Sequence, residues 1–206
     1  MIILSHRGYW QEVGEQNREV AFRRSFDLGF GAETDLRDMA GEIVISHDMP
    51  RGGEILLAEV LRIMDGRNLP LALNIKADGL AGAIKELLAN YHQTNYFTFD
   101  MSIPEMAAQI SQGLSVFAGQ SDILPAPVLL PQSAGIWLDG FNSDWYAAAV
   151  IDNWLASGKK VCVVSGELHQ RDTAQQWEII KQCRHRESSA LMLCTDVPEK
   201  AKEYFN

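Results

Sequence analysis

The chain has 206 residues, with 18 Lys plus Arg against 27 Asp plus Glu and a formal charge of −9. That excess of carboxylates excludes the net basic face of a duplex-binding domain, so no nucleic-acid partner is expected. With 47% apolar and 22% charged residues the composition is that of an ordinary globular chain, of a length at which a single α/β barrel domain spanning 1–206 becomes possible.

In chain order, an apolar run at 2–4 leads into Ser5, His6, Arg7 and Gly8. It is too short, and lacks the basic flank, for a secretory signal, and it reads as a strand. Helical spacing follows over 19–28. Strands are predicted at 32–36 and 43–45, separated only by a polar turn around Asp38 and Gly41. That turn is too short for a helical crossover, so the second run is an accessory strand. Next come helix 58–64, strand 71–75, helix 80–91, strand 96–99, helix 103–112 and strand 116–118. The stretch 119–135 carries Pro125, Pro127 and Pro131 and predicts no full helix. Strand 136–138 precedes helix 145–156, with Asp144 at the N-cap position. Strand 161–164, helix 173–183, strand 191–194 and helix 198–205 complete the chain. The last helix has Thr195 and Asp196 before it and Pro198 in its first turn. No apolar stretch approaches the roughly 18 residues of a membrane span. Cys162, Cys183 and Cys194 are odd in number and lack zinc-type pair spacing, which predicts reduced thiols and a cytoplasmic protein.

Strict alternation of strand and helix implies a parallel sheet with right-handed crossovers. With the accessory strand set aside, eight runs fit a (β/α)8 TIM barrel with almost no inserted domain; a doubly wound open sheet is the alternative fold. In such barrels the reacting groups sit at the C-terminal ends of the strands. Those ends read His6 and Arg7, Glu33 and Asp35, Asn74 and Lys76, Asp100, Gln120, Asp139, Ser165, and Thr195 with Asp196, and the accessory strand adds His47 and Asp48.

Glu33 and Asp35 are two apart, as are Asn74 and Lys76, so each pair shares one face of its strand. Two carboxylates on one face call for a cation between them, and oxygen-only ligands suit Mg²⁺ or Ca²⁺. Roles as helix caps or ion-pair partners fit the same spacing. Of the five histidines, only His6 and His47 end an apolar run. Two imidazoles at one end of the sheet suit the opposed tasks of proton donor and acceptor. His92, His169 and His185 fall among polar residues and read as solvated. Trp10, Trp137, Phe141 and Trp145 lie near predicted loop ends, where they line a pocket or pack in the core.

The order His6-Arg7-Gly8, Asn17, Ala21-Phe22, Gly31-Ala32-Glu33-Thr34-Asp35, His47-Asp48 resembles the opening of glycerophosphodiester phosphodiesterases. These belong to the phosphatidylinositol-phospholipase-C-like phosphodiesterase barrel superfamily. The resemblance continues through Asn74-Ile75-Lys76, Phe99-Asp100 and Thr195-Asp196-Val197-Pro198, with most of its specificity in the first 48 residues. It implies a phosphoric diester hydrolase acting on a small glycerophosphodiester-like or sugar-linked substrate. His6 and His47 would then be the general acid and base, and Lys76 would join them in the catalytic set. Arg7 and Lys76 would meet the phosphate, Asn17 would bind substrate, and Glu33, Asp35 and Asn74 would hold a divalent Mg²⁺ or Ca²⁺. A barrel that binds a phosphorylated ligand without turnover, and a lyase that forms a cyclic phosphate, are the alternatives.

The sequence departs from the family pattern at three places. Gln16-Asn17-Arg18 stands where Glu-Asn-Thr is usual, so an acidic substrate contact falls to Glu15 or Glu19 or is lost. Asn74 stands where a third metal carboxylate is usual, with Asp78 and Asp100 as alternative ligands. Only about residues 49–57 stand where a small domain is commonly inserted. The oligomeric state is not legible.

Overall fold

A computed structural model describes residues 1–206. The chain divides into two compact units, Leu4–Val116 and Met1–Ile3 together with Phe117–Asn206. The unit Leu4–Val116 takes in most of β1 (Ile2–His6) and all of α1 (Glu19–Asp27), β2 (Gly31–Met39), β3 (Glu42–Ile45), α2 (Leu57–Met64), β4 (Leu71–Ile75), α3 (Ala81–Asn90), β5 (Tyr96–Phe99) and α4 (Ile103–Ser111). Each strand predicted here is present, within a few residues of its expected ends. The accessory strand is β3: it pairs antiparallel with the outer half of β2, from Leu36↔Ile45 to Met39↔Glu42.

The parallel register does the work of positioning. His6 lies opposite Glu33 on β1 and β2. Asp35 lies opposite Asn74 on β2 and β4. In-register residues of parallel neighbours point to the same face, so four polar side chains share one face at the strands' C-terminal halves. The opposite face is apolar. Leu36, Leu71 and Leu73 pack against Phe22, Phe26, Val60, Leu61 and Ile84 from the helices. Each side chain fully buried in this way contributes about 2 kcal/mol of hydrophobic stabilisation.

The second unit contains β6 (Phe117–Gln120), β7 (Gly135–Leu138), α5 (Ala148–Ala156), β8 (Lys160–Val164), α6 (Ala174–Lys181), β9 (Leu191–Thr195) and α7 (Pro198–Phe205). The proline-bearing segment before β7 holds only the 3-10 turn Leu130–Gln132, as its three prolines dictate. Trp177 of α6 is buried against Tyr204 and Phe205 of α7, with ring centroids 5.3 and 5.5 Å apart. All three cysteines are free and buried. No helix is long and apolar enough to cross a membrane.

The parallel strands follow the order β5-β4-β2-β1-β9-β8-β7-β6, with β3 off this path on β2. With β3 set aside, consecutive strands are neighbours from β1 to β5 and from β6 to β9, and Thr98 of β5 bridges in parallel to Val116, the residue before β6. A doubly wound sheet reverses its strand order at a switch point. No reversal occurs here, so the order is that of a (β/α)8 barrel and the open-sheet alternative is set aside.

Two local expectations are corrected. Asp144 does not cap the following helix, which starts three residues later than expected, at Ala148 after an Ala147 N-cap with no side-chain bond. Asp144 instead accepts a hydrogen bond from Arg171 Nη1 at 2.8 Å. Before α7 the N-cap is Val197, whose N–H donates to Thr195 Oγ1 at 3.1 Å, while Pro198 occupies the first turn as expected.

Candidate active site

The residues given catalytic, substrate or metal roles, His6, Arg7, Asn17, Glu33, Asp35, His47, Asn74 and Lys76, lie in the unit Leu4–Val116. Asp35 is the hub. It is buried, and its Oδ2 accepts a hydrogen bond from Asn17 Nδ2 at 2.9 Å. Arg7 Nε stands 3.3 Å from the same oxygen, and Lys76 Nζ stands 3.5 Å from Oδ1. Glu33, equally buried, accepts from the Arg7 backbone N–H at 3.3 Å and lies 3.9 Å from His6 Nε2. Both Arg7 and Asn17 take positive φ, 56° and 57°, a conformation that costs a non-glycine residue about 1 kcal/mol. The Asn17 N–H donates to the Arg7 carbonyl at 2.9 Å, and Thr34 Oγ1 donates to Asn17 Oδ1 at 2.8 Å, so the two strained residues hold one another. Gly8 explains the third letter of its motif. At φ +76° any Cβ there would sit 2.9 Å from the Ala21 backbone, where α1 crosses the turn.

His47 lies beyond β3, about half exposed, with Nδ1 2.9 Å from Asp48 Oδ1. The imidazole holds the Asp48 carboxyl below the usual carboxylate range. The loop is tied back to the hub because the Ser46 N–H donates to the Asp35 carbonyl at 3.0 Å. A further residue, unnoticed in the sequence, completes the tie. Arg37 Nε and Nη2 donate to the His47 carbonyl at 3.2 and 3.1 Å, and Arg37 Nη1 donates to the Lys76 carbonyl at 3.1 Å. One guanidinium thus fixes the backbones of two candidate catalytic residues. The signal was available: Glu33, Asp35 and Arg37 continue a single period-2 face of β2.

The proposed replacements for the missing acidic contact are engaged elsewhere. Glu15 accepts from Arg24 Nη1 at 2.8 Å, and Glu19 accepts from Arg23 Nε at 2.7 Å. Gln16 itself accepts from Arg7 Nη1 at 3.4 Å. Asp78 accepts from the Ser102 hydroxyl at 2.7 Å, and Asp100 is exposed. Trp137 is core, and Phe141 is exposed. His169, expected to be solvated, instead pairs with Asp139 at 2.8 Å.

Burial, and after it the charge of Asp35, pushes the Glu33 carboxyl up to about 7, against the pull of His6, Arg7 and Lys76. The folded chain therefore keeps a proton that the unfolded chain releases at its ordinary value of 4.5. Stability of the ion-free protein is expected to fall as pH rises from 4.5 to about 7, then to level off. Urea midpoints measured in chelator across that window test this, and Glu33→Gln should flatten the slope.

No group of three His, Cys, Asp or Glu side chains converges here to hold a metal ion. Beside the two carboxylates, Asn74 carries an amide oxygen: its Oδ1 is buried with no hydrogen-bond partner, on the face that Asp35 and Glu33 share. A buried carbonyl oxygen without a donor is costly unless something fills its coordination. With two carboxylates beside it, the set fits a hard divalent cation.

No protein-family model matches the sequence, and no curated protein matches it. Solved structures do match. The glycerophosphodiester phosphodiesterase from Agrobacterium tumefaciens superposes with a TM-score of 0.73 at 17% identity, over 99% of this chain and 98% of that one. An Oleispira antarctica phosphodiesterase, solved with the product sn-glycerol-3-phosphate, gives 0.69 at 15% identity over 99% and 96% of the two chains. A glycerophosphoryl diester phosphodiesterase from Parabacteroides distasonis gives 0.69 at 15% identity over 98% and 85%. The fold of this chain is therefore the α/β barrel of the glycerophosphodiester phosphodiesterases.

Proposed function

We propose that the chain is a divalent-metal-dependent phosphodiesterase that hydrolyses a glycerophosphodiester-like or sugar-linked diester, acting as one domain in the cytoplasm. The observation that carries this reading is the hub at Asp35. Two cations, Arg7 and Lys76, and an amide, Asn17, converge on a buried carboxylate beside Glu33, within a fold shared with solved phosphodiesterases.

A phosphodiester resists attack because its oxygens are negative, so its transition state needs neutralising charge. Arg7 and Lys76 are each about one-fifth exposed, within reach of an anion that Asp35 alone would repel. Glu33, Asp35 and Asn74 would hold the ion, and a bound Mg²⁺ or Ca²⁺ supplies Lewis-acid stabilisation of phosphoryl charge. His6 and His47 divide the proton work: one accepts the proton of the attacking water, the other protonates the departing alkoxide. In His47 the Nδ1 faces Asp48, which leaves Nε2 as the atom that exchanges a proton with substrate. Glu33 lies 3.9 Å from His6 Nε2 and Asp48 2.9 Å from His47 Nδ1, so each ring has a carboxyl group beside it that orients it.

The decisive experiment is hydrolysis of bis(4-nitrophenyl) phosphate and of a glycerophosphodiester panel by the chelated chain, with Mg²⁺ or Ca²⁺ then restored. Turnover on restoration alone is expected. Turnover that is indifferent to chelation would remove the metal from the scheme, and none with either ion would remove the activity. Arg37→Lys keeps the charge but not the fork that grips His47 and Lys76. It should lower kcat about tenfold, with ion affinity unchanged, as expected when groups are misplaced and not removed.

A further inference from the structure

Glu105 is a buried acid that the scheme above leaves unused. Its side chain is 4% exposed, and neither Lys nor Arg pairs with it; both of its oxygens face amides. Ser102 and Glu105 have the spacing of a capping box at the start of α4, in which the acid turns back to the N–H of the capping residue. Only half of that box forms. Ser102 Oγ accepts the Glu105 N–H at 3.3 Å, but the Glu105 carboxylate leaves the helix and takes the Gly79 N–H at 2.7 Å, 26 residues away in the loop between β4 and α3. Gln109, fully buried one turn further along α4, aims the carboxylate by donating from Nε2 to Glu105 Oε1 at 2.9 Å.

The loop that Glu105 reaches carries Lys76, and it is gripped at both ends. At the near end the Lys76 N–H donates to the Leu36 carbonyl at 2.9 Å, and the Lys76 carbonyl accepts from Arg37. At the far end the Ser102 hydroxyl donates to Asp78 at 2.7 Å and Glu105 holds Gly79, whose φ of +87° turns the chain toward α3. Gly79 lies at the surface, where water serves its N–H equally well, so the amide does not need this acceptor. Packing does not need it either. Two apolar side chains in place of Glu105 and Gln109 would fill the same space at little cost, because both partners of the buried pair would go together. What the bond adds is a fixed loop. The Lys76 side chain is 22% exposed with Nζ 3.5 Å from Asp35 Oδ1, so the rest position of its ammonium depends on the backbone beneath it.

We propose that Glu105 is a positioning residue for Lys76: through the Gly79 N–H, and opposite Arg37, it holds the loop that sets the Lys76 ammonium beside Asp35. The inference rests on the phosphodiesterase reading only in taking Lys76 as a phosphate contact. A charge that is already in place when the phosphate arrives stabilises the transition state without reorganisation.

The lysine Cε and Nζ signals of the full chain are followed by NMR, with Lys76 assigned by its loss in Lys76→Ala. The double variant Glu105→Met/Gln109→Leu keeps the packing of α4 and removes the acceptor; Glu105→Ala is a second variant read in the same way. In both, the Lys76 signals should move toward those of an exposed lysine while the other lysines stay. Glu105→Gln should restore them, since its amide oxygen still takes the Gly79 N–H and its NH2 meets Gln109 Oε1, which has no partner in the native chain. With the divalent ion present, kcat for bis(4-nitrophenyl) phosphate should fall about tenfold in the double variant, with ion affinity unchanged. Added to Lys76→Ala, the same pair of changes should lower kcat no further. An equal loss in both backgrounds marks Glu105 as structural and overturns the proposal. Lys76 signals that stay fixed without Glu105 overturn it too, and leave the phosphodiesterase reading intact if the chain turns over. Displaced Lys76 signals in a chain that hydrolyses no diester support the positioning role and remove that reading.

Discussion

Replacing His6 or His47 by alanine is expected to lower kcat/KM for a phosphodiester by about 10²- to 10⁴-fold, the range removed with a positioned proton carrier. The fold should survive. The His47 side chain is about half exposed and bonded only to its neighbour Asp48, while His6 sits at the solvent end of β1 with 18% of its side chain exposed. Neither substitution opens a core cavity or strands a buried charge, because Glu33 keeps its bond from the Arg7 N–H. Ion affinity should also hold, since no oxygen donor is removed. A leaving group that departs without a proton, such as 4-nitrophenolate, should spare whichever variant has lost the general acid. Comparing activated with alkyl diesters therefore assigns the two roles. A pair of variants that both retain activity on the alkyl diester would sink the acid–base scheme.

The placement of these residues at the strand ends was legible from residue order because the relevant physics is local to each strand end. The period-2 spacing of Glu33 with Asp35 fixes a shared face whatever the sheet's partners are, and the histidines close apolar runs whose ends need no tertiary information. The barrel order was legible for a related reason: short β-branched runs between helical segments leave few topologies. What stayed hidden depends on register and on loop conformation. Nothing in the spacing of Asp35 and Asn74 says that they lie opposite one another, since register is set by packing on the apolar face. Asp144 satisfied the composition rule for an N-cap, yet Arg171, 27 residues away, claims its carboxylate. His169 looked solvated among polar neighbours because its partner Asp139 is 30 residues distant. Long-range ion pairs override local preference at these two positions, and sequence separation conceals them.

Asp35→Asn is expected to do more damage than any other conservative change in the molecule. The side chain keeps its volume but loses its charge and one acceptor, leaving Arg7 Nε and Lys76 Nζ beside a neutral amide. Its new NH2 must face one of three donors, those of Asn17, Arg7 or Lys76, which are placed for a carboxylate. Because both cations are partly exposed and can turn to solvent, the stability loss should be modest, about 1–3 kcal/mol. Activity should fall about 10³-fold, since the phosphate contacts and the ion site fail together. Asn74→Asp moves the other way, adding a third carboxylate across the register and tightening Mg²⁺ or Ca²⁺ about tenfold. The double variant separates the two roles of Asp35. A carboxylate returned at position 74 should recover much of the ion affinity, but the amide at position 35 still sets an NH2 against one of Asn17, Arg7 or Lys76. Calorimetric ion titration and kcat/KM across this four-member cycle would give ion affinity restored and turnover still low. Wild-type ion affinity in Asp35→Asn would place the ion elsewhere. Full recovery of turnover in the double variant would show that Asp35 serves the ion alone and that its grip on Arg7, Lys76 and Asn17 is incidental.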